Sequence, residues 1–314
     1  MTAYILRRVL YALPILIGVN LITFVLFFVV NSPDDMARMQ LGAKRVTPEA
    51  ITAWKAERGY DQPLLFNDQA EGLERLTRTI IFDKSLRLFL FDFGTSDAGR
   101  DIRHDIGQRM WPSLAVAVPV LLVGLLVNIS LALFIVLFRG SYIDLAGVVV
   151  LVAMLSISSL FYIIGGQYLV GKLLRLAPIS GYDLGLEAWK FLVLPVIVGV
   201  MGGIGSGARF YRTLFLEEAG KDYVRTARAK GLGERLVLFH HILGNALIPI
   251  LAGGVVVLPL LFIGSLLTET VFGIPGLGSY TLDAISNQDF AIVRAMVFLG
   301  SVLYILGLVL TDIS

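Results

Sequence analysis

The sequence predicts an all-α membrane protein with six transmembrane helices, a small extracytoplasmic segment between helices 1 and 2, and a basic cytoplasmic loop between helices 4 and 5. Three observations lead there. Of 314 residues, 56% are hydrophobic and 16% charged, whereas soluble domains average about 25% charged, and the mean hydropathy is +0.80. Six stretches, 9–33, 112–138, 145–171, 191–208, 242–268 and 295–311, contain no Asp, Glu, Lys or Arg and meet or approach the roughly 20 residues a helix needs to cross hydrocarbon. Backbone groups in lipid must be satisfied within a helix or a closed barrel, and the alternation of barrel strands is missing.

Taken in order, the opening MTAYILRRVLYALPILIGVNLITFVLFFVV has an apolar run too long for a signal peptide and no small-residue cleavage site after it, so residues 1–33 read as a retained first helix. Arg7 and Arg8 lack the flanking residues of a twin-arginine signal. Residues 34–111 hold 13 acidic and 12 basic residues with two apolar clusters, Leu64–Phe66 and Leu88–Phe93, and read as a small folded cap. Residues 112–314 carry the other five helices, including the loop 209–245.

Orientation follows from basic residues in the short connections. Ten lie on the side of the N-terminus: Arg7, Arg8, Arg139, Arg209, Arg212, Lys221, Arg225, Arg228, Lys230 and Arg235. Four, Lys172, Arg175, Lys190 and Arg294, lie opposite. Both termini are therefore expected in the cytoplasm and the cap outside.

The spans carry no ionisable residue, which disfavours proton coupling. Their polar residues are mild: Asn20, Asn128, Ser130, Ser156, Ser158, Ser159 and Gln167, the serines expected to make helix-to-helix hydrogen bonds. The fourth span has Gly199, Gly203 and Gly207 at intervals of four, with Gly202 and Gly205 beside them, a pattern for close helix packing within the chain or with a second membrane subunit. GQYLVGKL at 166–173 has the spacing of a nucleotide-binding loop but lacks its Ser or Thr and any preceding strand. There is no cysteine and there are three His, so no metal site is expected, and no nucleophile–base arrangement suggests catalysis on this chain.

The densest basic run lies in DYVRTARAKGLGERLVLFHHILGNALIPI, residues 222–250. Lys221, Arg225 and Arg228 form a stripe at helical spacing, with Val224, Ala227 and Gly231 on a small-residue face. Gly231 and Gly233 interrupt the helix, and Gly231 is expected to take positive φ. Leu232, Leu236, Phe239, Leu243 and Leu247 then form an apolar stripe. The pattern predicts two short helices joined at a glycine bend. Nucleic-acid binding would leave the apolar and small faces without a role, and a lipid surface would not require a bend; a groove on a partner protein suits both.

In this loop the chain resembles the inner-membrane permease subunits of the dipeptide, oligopeptide and nickel class of binding-protein-dependent ABC importers. Asp222–Leu232, Glu234, His241, Asn245–Leu247 and Pro249 follow that family's loop, and YILRRVL at the start, DFGTS at 92–96, LAPISGY at 176–182 and TETVFGIPGLG at 268–278 agree with it. Two stretches depart: NSPDDMA at 31–37 stands where P-G-D-P is usual, and TDIS stands where the family commonly continues to a D-P-R tail, from which a trimmed C-terminus is expected.

The resemblance implies that Asp222, Tyr223, Arg225, Thr226, Ala227, Arg228, Ala229, Lys230, Gly231 and Leu232 form a coupling element in the cleft of a cytoplasmic ATPase. It implies a homologous second permease, two ATPase subunits that carry the ATP and magnesium, and an extracytoplasmic solute-binding protein. Membrane lipid, and no nucleic acid, completes the expected surroundings. This chain would hold no cofactor of its own. Peptides are favoured over nickel because the spans contain no metal-ligand cluster. The alternative is a self-contained channel or secondary carrier, with the basic loop a topological connection.

Overall fold

The computed structural model describes residues 2–42, 47–183, 185 and 187–313. In chain order the principal helices are α1 (Thr2–Phe24), α2 (Pro33–Leu41), α3 (Pro48–Arg58), α4 (Ile102–Leu137), α5 (Tyr142–Ser156) and α6 (Ser159–Gly166). They continue with α7 (Ala188–Ala219), α8 (Asp222–Ala229), α9 (Leu243–Leu260), α10 (Leu266–Phe272), α11 (Leu277–Ser286) and α12 (Phe290–Ile313). Among the described residues there is no strand, only an isolated bridge between Thr95 and Asp101.

Among the described residues five helical stretches are long and apolar enough to cross a membrane: Leu10–Val30, Ile102–Leu137, Ala188–Ala219, Glu234–Leu260 and Phe290–Asp312. The expected third span, 145–171, is not one straight helix. Its two arms, Tyr142–Ser156 and Ser159–Leu173, meet at 91°. The chain leaves helical geometry at Ile157 (φ −87°, ψ 127°), and Ser158 begins the second arm as an extended N-cap. Ser156 turns its hydroxyl back onto the Val152 carbonyl at 2.9 Å, a local bond of the kind that bends helices. Tyr162 then caps the first arm by donating to the Met154 carbonyl at 2.8 Å.

The chain divides into two compact units: residues 1–108 with 280–313, and residues 109–279. In the first, α1 continues through a π-helical turn, Val25–Val30, and packs along α12, with Arg8 and Asp312 paired at 3.1 Å. The NSPDDMA stretch is a helix start. Ser32 and Asp35 form a reciprocal capping box with Pro33 at the first helical position. The cap's core is Met36, Ile51, Trp54, Tyr60 and Ile80 packed on Phe24 and Phe28, each worth roughly 1.5–3 kcal/mol of apolar burial. The two apolar clusters read from the sequence lie outside that core and are buried only in part. Leu88 and Phe93 are buried, whereas Leu65, Phe66 and Leu90 are exposed, because the turns around them present single side chains inward. Asn20 ties the first span to the cap by donating to the Ser85 carbonyl at 3.1 Å.

In the second unit α7 is the central element. Its residues Leu194 and Val198 pack with Val116, Ile163 and Phe272, and Phe215 anchors a core with Leu133, Val224, Val237 and Ile242. Arg212 on α7 reaches Asp144 on α5 with two hydrogen bonds, 2.7 and 3.1 Å.

Candidate functional site

Two features of the second unit are candidates for function, a cavity among its spans and the segment that links α7 to α9. The cavity, about 690 Å3, is walled by α4, α6, α7, α9 and the α9–α10 connection. Val120, Asn128, Ser159, Gly203, Tyr211 and Thr268 are on its wall, and its only charged lining residue among the described residues is Glu269.

Glu269 is 1% exposed and fully engaged. One carboxylate oxygen accepts the Ser265 N–H at 3.2 Å and the other the Ser279 N–H at 3.1 Å; the Gly278 N–H and the Ser113 hydroxyl also bond to it. Ser113 in turn accepts the Leu277 N–H at 2.8 Å. Burial pushes the carboxyl above the ordinary carboxylate range, and these donors oppose the push. Gly264 (φ +72°) and Gly276 surround the carboxylate, where a Cβ would collide with it. The TETVFGIPGLG segment is thus a loop folded around one buried acid. Sequence reasoning quoted it without assigning Glu269 a role; the signal was an acid flanked by four glycines, Gly264, Gly273, Gly276 and Gly278.

The three predicted packing glycines differ. A Cβ on Gly199 would lie 2.8 Å from Val120 and one on Gly207 2.7 Å from Asn128, both on α4. Gly203 has no atom within 4 Å of that position and lines the cavity. The tightest backbone approach on α7 is at Gly205, where a Cβ would stand 2.6 Å from the Leu155 nitrogen of α5. Gln167 donates to the carbonyls of Ile179 (3.0 Å) and Val271 (3.4 Å) and so ties the bent arm to two loops. The nucleotide-loop look-alike around it is a π-helical turn, Gln167–Leu173.

The basic segment departs from expectation in three ways. First, the loop is shorter than 209–245. Helix α7 runs to Ala219, and Glu234 already starts the helix that becomes α9, so the connection proper is α8 with the residues on either side of it. Second, the small face does not point outward. Val224 and Ala227 are buried in the chain's own core, so Ala227 is not available to a partner groove, while Asp222, Tyr223, Arg225, Thr226, Arg228, Ala229, Lys230 and Gly231 are exposed and Leu232 is partly buried. Third, the apolar stripe is displaced. Val237, Leu238, Ile242, Ala246 and Ile250 are buried, whereas Leu236 and Phe239 are 52% and 57% exposed. A π-helical turn at Val237–Ile242 inserts an extra residue per turn and moves the inward face out of α-helical phase.

Gly231 takes φ +81°. Arg228 is held against Glu234 across this bend by two hydrogen bonds, 2.8 and 3.1 Å. Arg225 has only Asp222 at 3.3 Å, both largely exposed. The Tyr223 hydroxyl donates to Glu218; its partial burial and that carboxylate push it up to about 12, so it stays a donor at any physiological pH.

Spans of this length around a cavity whose one acid is held by internal hydrogen bonds define a multi-pass membrane protein with room for a solute. A family model described as the binding-protein-dependent transport system inner membrane component matches residues 128–314, and its companion for the N-terminal part matches residues 1–81. A Brucella suis protein that bears the name of a peptide transport system permease is 30% identical over all of this chain and 96% of its own length. A dipeptide transport system permease protein of Alkalihalophilus pseudofirmus is 26% identical over 98% of this chain and 95% of its own. A glutathione transport system permease protein of Salmonella choleraesuis is 28% identical over 100% and 96%. The chain belongs to the binding-protein-dependent transport system inner membrane component family. It is a permease subunit of an ABC importer in the inner membrane, a component that is not itself catalytic.

Proposed function

We propose that this chain forms half of a translocation pathway for peptides, paired with a homologous permease, driven by two cytoplasmic ATPase subunits and supplied by an extracytoplasmic binding protein. Both termini lie in the cytoplasm in this reading, the extracytoplasmic segment 34–111 helps receive the binding protein, and ATP with magnesium is held by the ATPase chains. The names of the relatives, peptide, dipeptide and glutathione permeases, support the substrate class. The observation that carries the reading is the cavity. Among the described lining residues its one acid is engaged by backbone N–H groups and a serine, which leaves no unengaged charged group for ion coupling. A neutral wall suits a solute recognised elsewhere and moved by an external motor. Nothing favours a self-contained channel or carrier.

The coupling surface is the outward face of α8, where Tyr223, Arg225, Thr226 and Ala229 are exposed, with Gly231 setting the angle to the next helix. Substituting Gly231→Val places a β-branched residue at φ +81°, which is strained for any L side chain. The test is a dipeptide-stimulated ATPase assay of the reconstituted complex together with uptake. Gly231→Val should uncouple the two or release the ATPase, and uptake driven by an ion gradient without ATP would overturn the reading. For orientation, single cysteines at Asp68 and Gly233 should react with an impermeant maleimide outside and only after permeabilisation, respectively; the reverse pattern would invert the topology.

A further inference from the structure

The unit formed by residues 1–108 and 280–313 contains its own cavity, about 580 Å3, among the end of α3, the Asp83–Leu88 turns, the Asp92–Gly99 loop and the start of α12. Arg294 is on its wall and is 5% exposed. Its Nε donates to the Phe290 carbonyl at 3.2 Å and its Nη1 to the Lys84 carbonyl at 3.2 Å, and the guanidinium lies 4.8 Å from the Phe28 ring centroid. Among the described residues no carboxylate approaches it within 4.0 Å, and Nη2 has no hydrogen-bond partner.

The neighbouring charges do not neutralise it. Asp97 and Asp289 act with Arg294 on the Tyr60 hydroxyl, but both are committed. Asp97 accepts from Arg58 at 2.8 Å and from Gln40, and Asp289 accepts the N–H groups of Asp97 at 2.8 Å and Ile292 at 3.2 Å. The other cations of the wall each have an acid: Arg58 with Asp97 (2.8 Å), Lys84 with Asp83 (2.7 Å), Arg87 with Asp83 (3.2 Å). Arg294 is left as a buried guanidinium with neutral partners and a spare donor edge beside open space. Burying a charge without a counter-charge is costly, and a guanidinium edge matches a carboxylate in plane and spacing.

We propose that this cavity is a carboxylate-binding site with Arg294 as its charged donor. The carboxylate belongs to the C-terminus of a peptide substrate or to an acidic side chain of the binding protein; the choice between these two rests on the proposed function, and the site itself does not. Tyr60 and Thr95 are also on the cavity wall.

Trp54 provides a reporter, because Arg58 stacks on it at 4.6 Å and Tyr60 contacts it at 5.5 Å, and both line the cavity. In the assembled complex in nanodiscs, with Trp54 as the only tryptophan of this chain (Trp111→Phe, Trp189→Phe) and the partner tryptophans substituted, emission is titrated with glycylglycine and with glycylglycinamide. A second titration follows docking of the binding protein. The expected result is a saturable response to glycylglycine that is at least about ten-fold weaker for the amide, as loss of one charged hydrogen-bonded pair implies. It is lost in Arg294→Gln and also in Ala291→Leu, which narrows the cavity on the Arg294 side while leaving Arg294 and its carbonyl bonds in place. That result with unchanged docking assigns the carboxylate to the substrate. No response to glycylglycine, with docking weakened about ten-fold in both variants, assigns it to the binding protein. Neither effect, or a response that survives both substitutions, overturns the proposal. A complex that binds glycylglycine in this way yet transports no peptide would sink the proposed function and leave the site standing.

Discussion

Gly205 should be the least replaceable glycine of the fourth expected span, although the regular spacing singles out its neighbours. A Cβ there would meet the Leu155 nitrogen at 2.6 Å and the Leu151 oxygen and Leu155 Cα at 2.9 Å, all backbone atoms of α5 that no rotamer change can move. Ordinary non-bonded carbon contacts lie near 3.5–4.0 Å, so Gly205→Ala must drive α5 and α7 apart by about 1 Å. Overpacking of this kind costs roughly 1–3 kcal/mol. Gly203→Ala meets nothing within 4 Å, and alanine is favoured over glycine inside a helix by up to about 1 kcal/mol. The propensity gain is common to both single-methyl variants and cancels between them, so they should differ by the overpacking cost, about 1–3 kcal/mol, or roughly 2 °C or more in unfolding midpoint. Thermal unfolding of the purified chain in detergent measures this. Equal midpoints for Gly205→Ala and Gly203→Ala would refute the close-approach argument. A loss for Gly203→Ala confined to the assembled complex would locate a contact with the second permease.

Glu269→Gln replaces an acceptor with an amide donor facing an N–H or a hydroxyl, and should lower stability by about 1–3 kcal/mol in the same assay. Because burial holds the Glu269 carboxyl above its ordinary range, the folded chain takes up this proton more readily than the unfolded one. Its contribution is most favourable below the ordinary carboxylate range and declines as pH rises toward the folded value, a slope that Glu269→Gln should lack in pH-dependent melting. Arg212 and Asp144 have side chains 22% and 13% exposed and share two hydrogen bonds, so a double-mutant cycle with Arg212→Leu and Asp144→Leu should give a coupling of roughly 1–3 kcal/mol. Arg225→Ala breaks a pair 73% and 95% exposed and should leave stability unchanged.

The sequence disclosed those features whose physics is additive or local. Span positions emerge because each apolar residue adds to a window, and the positive φ of Gly231 because it is a property of one residue. Registration is neither. The bend at Ile157 falls in an uncharged run that any hydropathy window passes over, and the π-helical turn at Val237–Ile242 moves the buried face without changing composition. The cavity was invisible for a related reason. Its wall residue Val120 and the outward-facing Leu122, 60% exposed, are chemically alike, and only the third dimension separates them. Polar side chains carried more information than their number suggests. Asn20, Gln167 and Glu269 each join segments that the chain separates, and in an apolar medium such a group persists only where partners wait for it. The same reasoning isolates Arg294. Charge counting placed it on the outer side as one more topological residue, yet a guanidinium 5% exposed with two carbonyls and no acid is not a topological marker. Its burial needs a reason that orientation does not supply, and an anion that comes and goes supplies one.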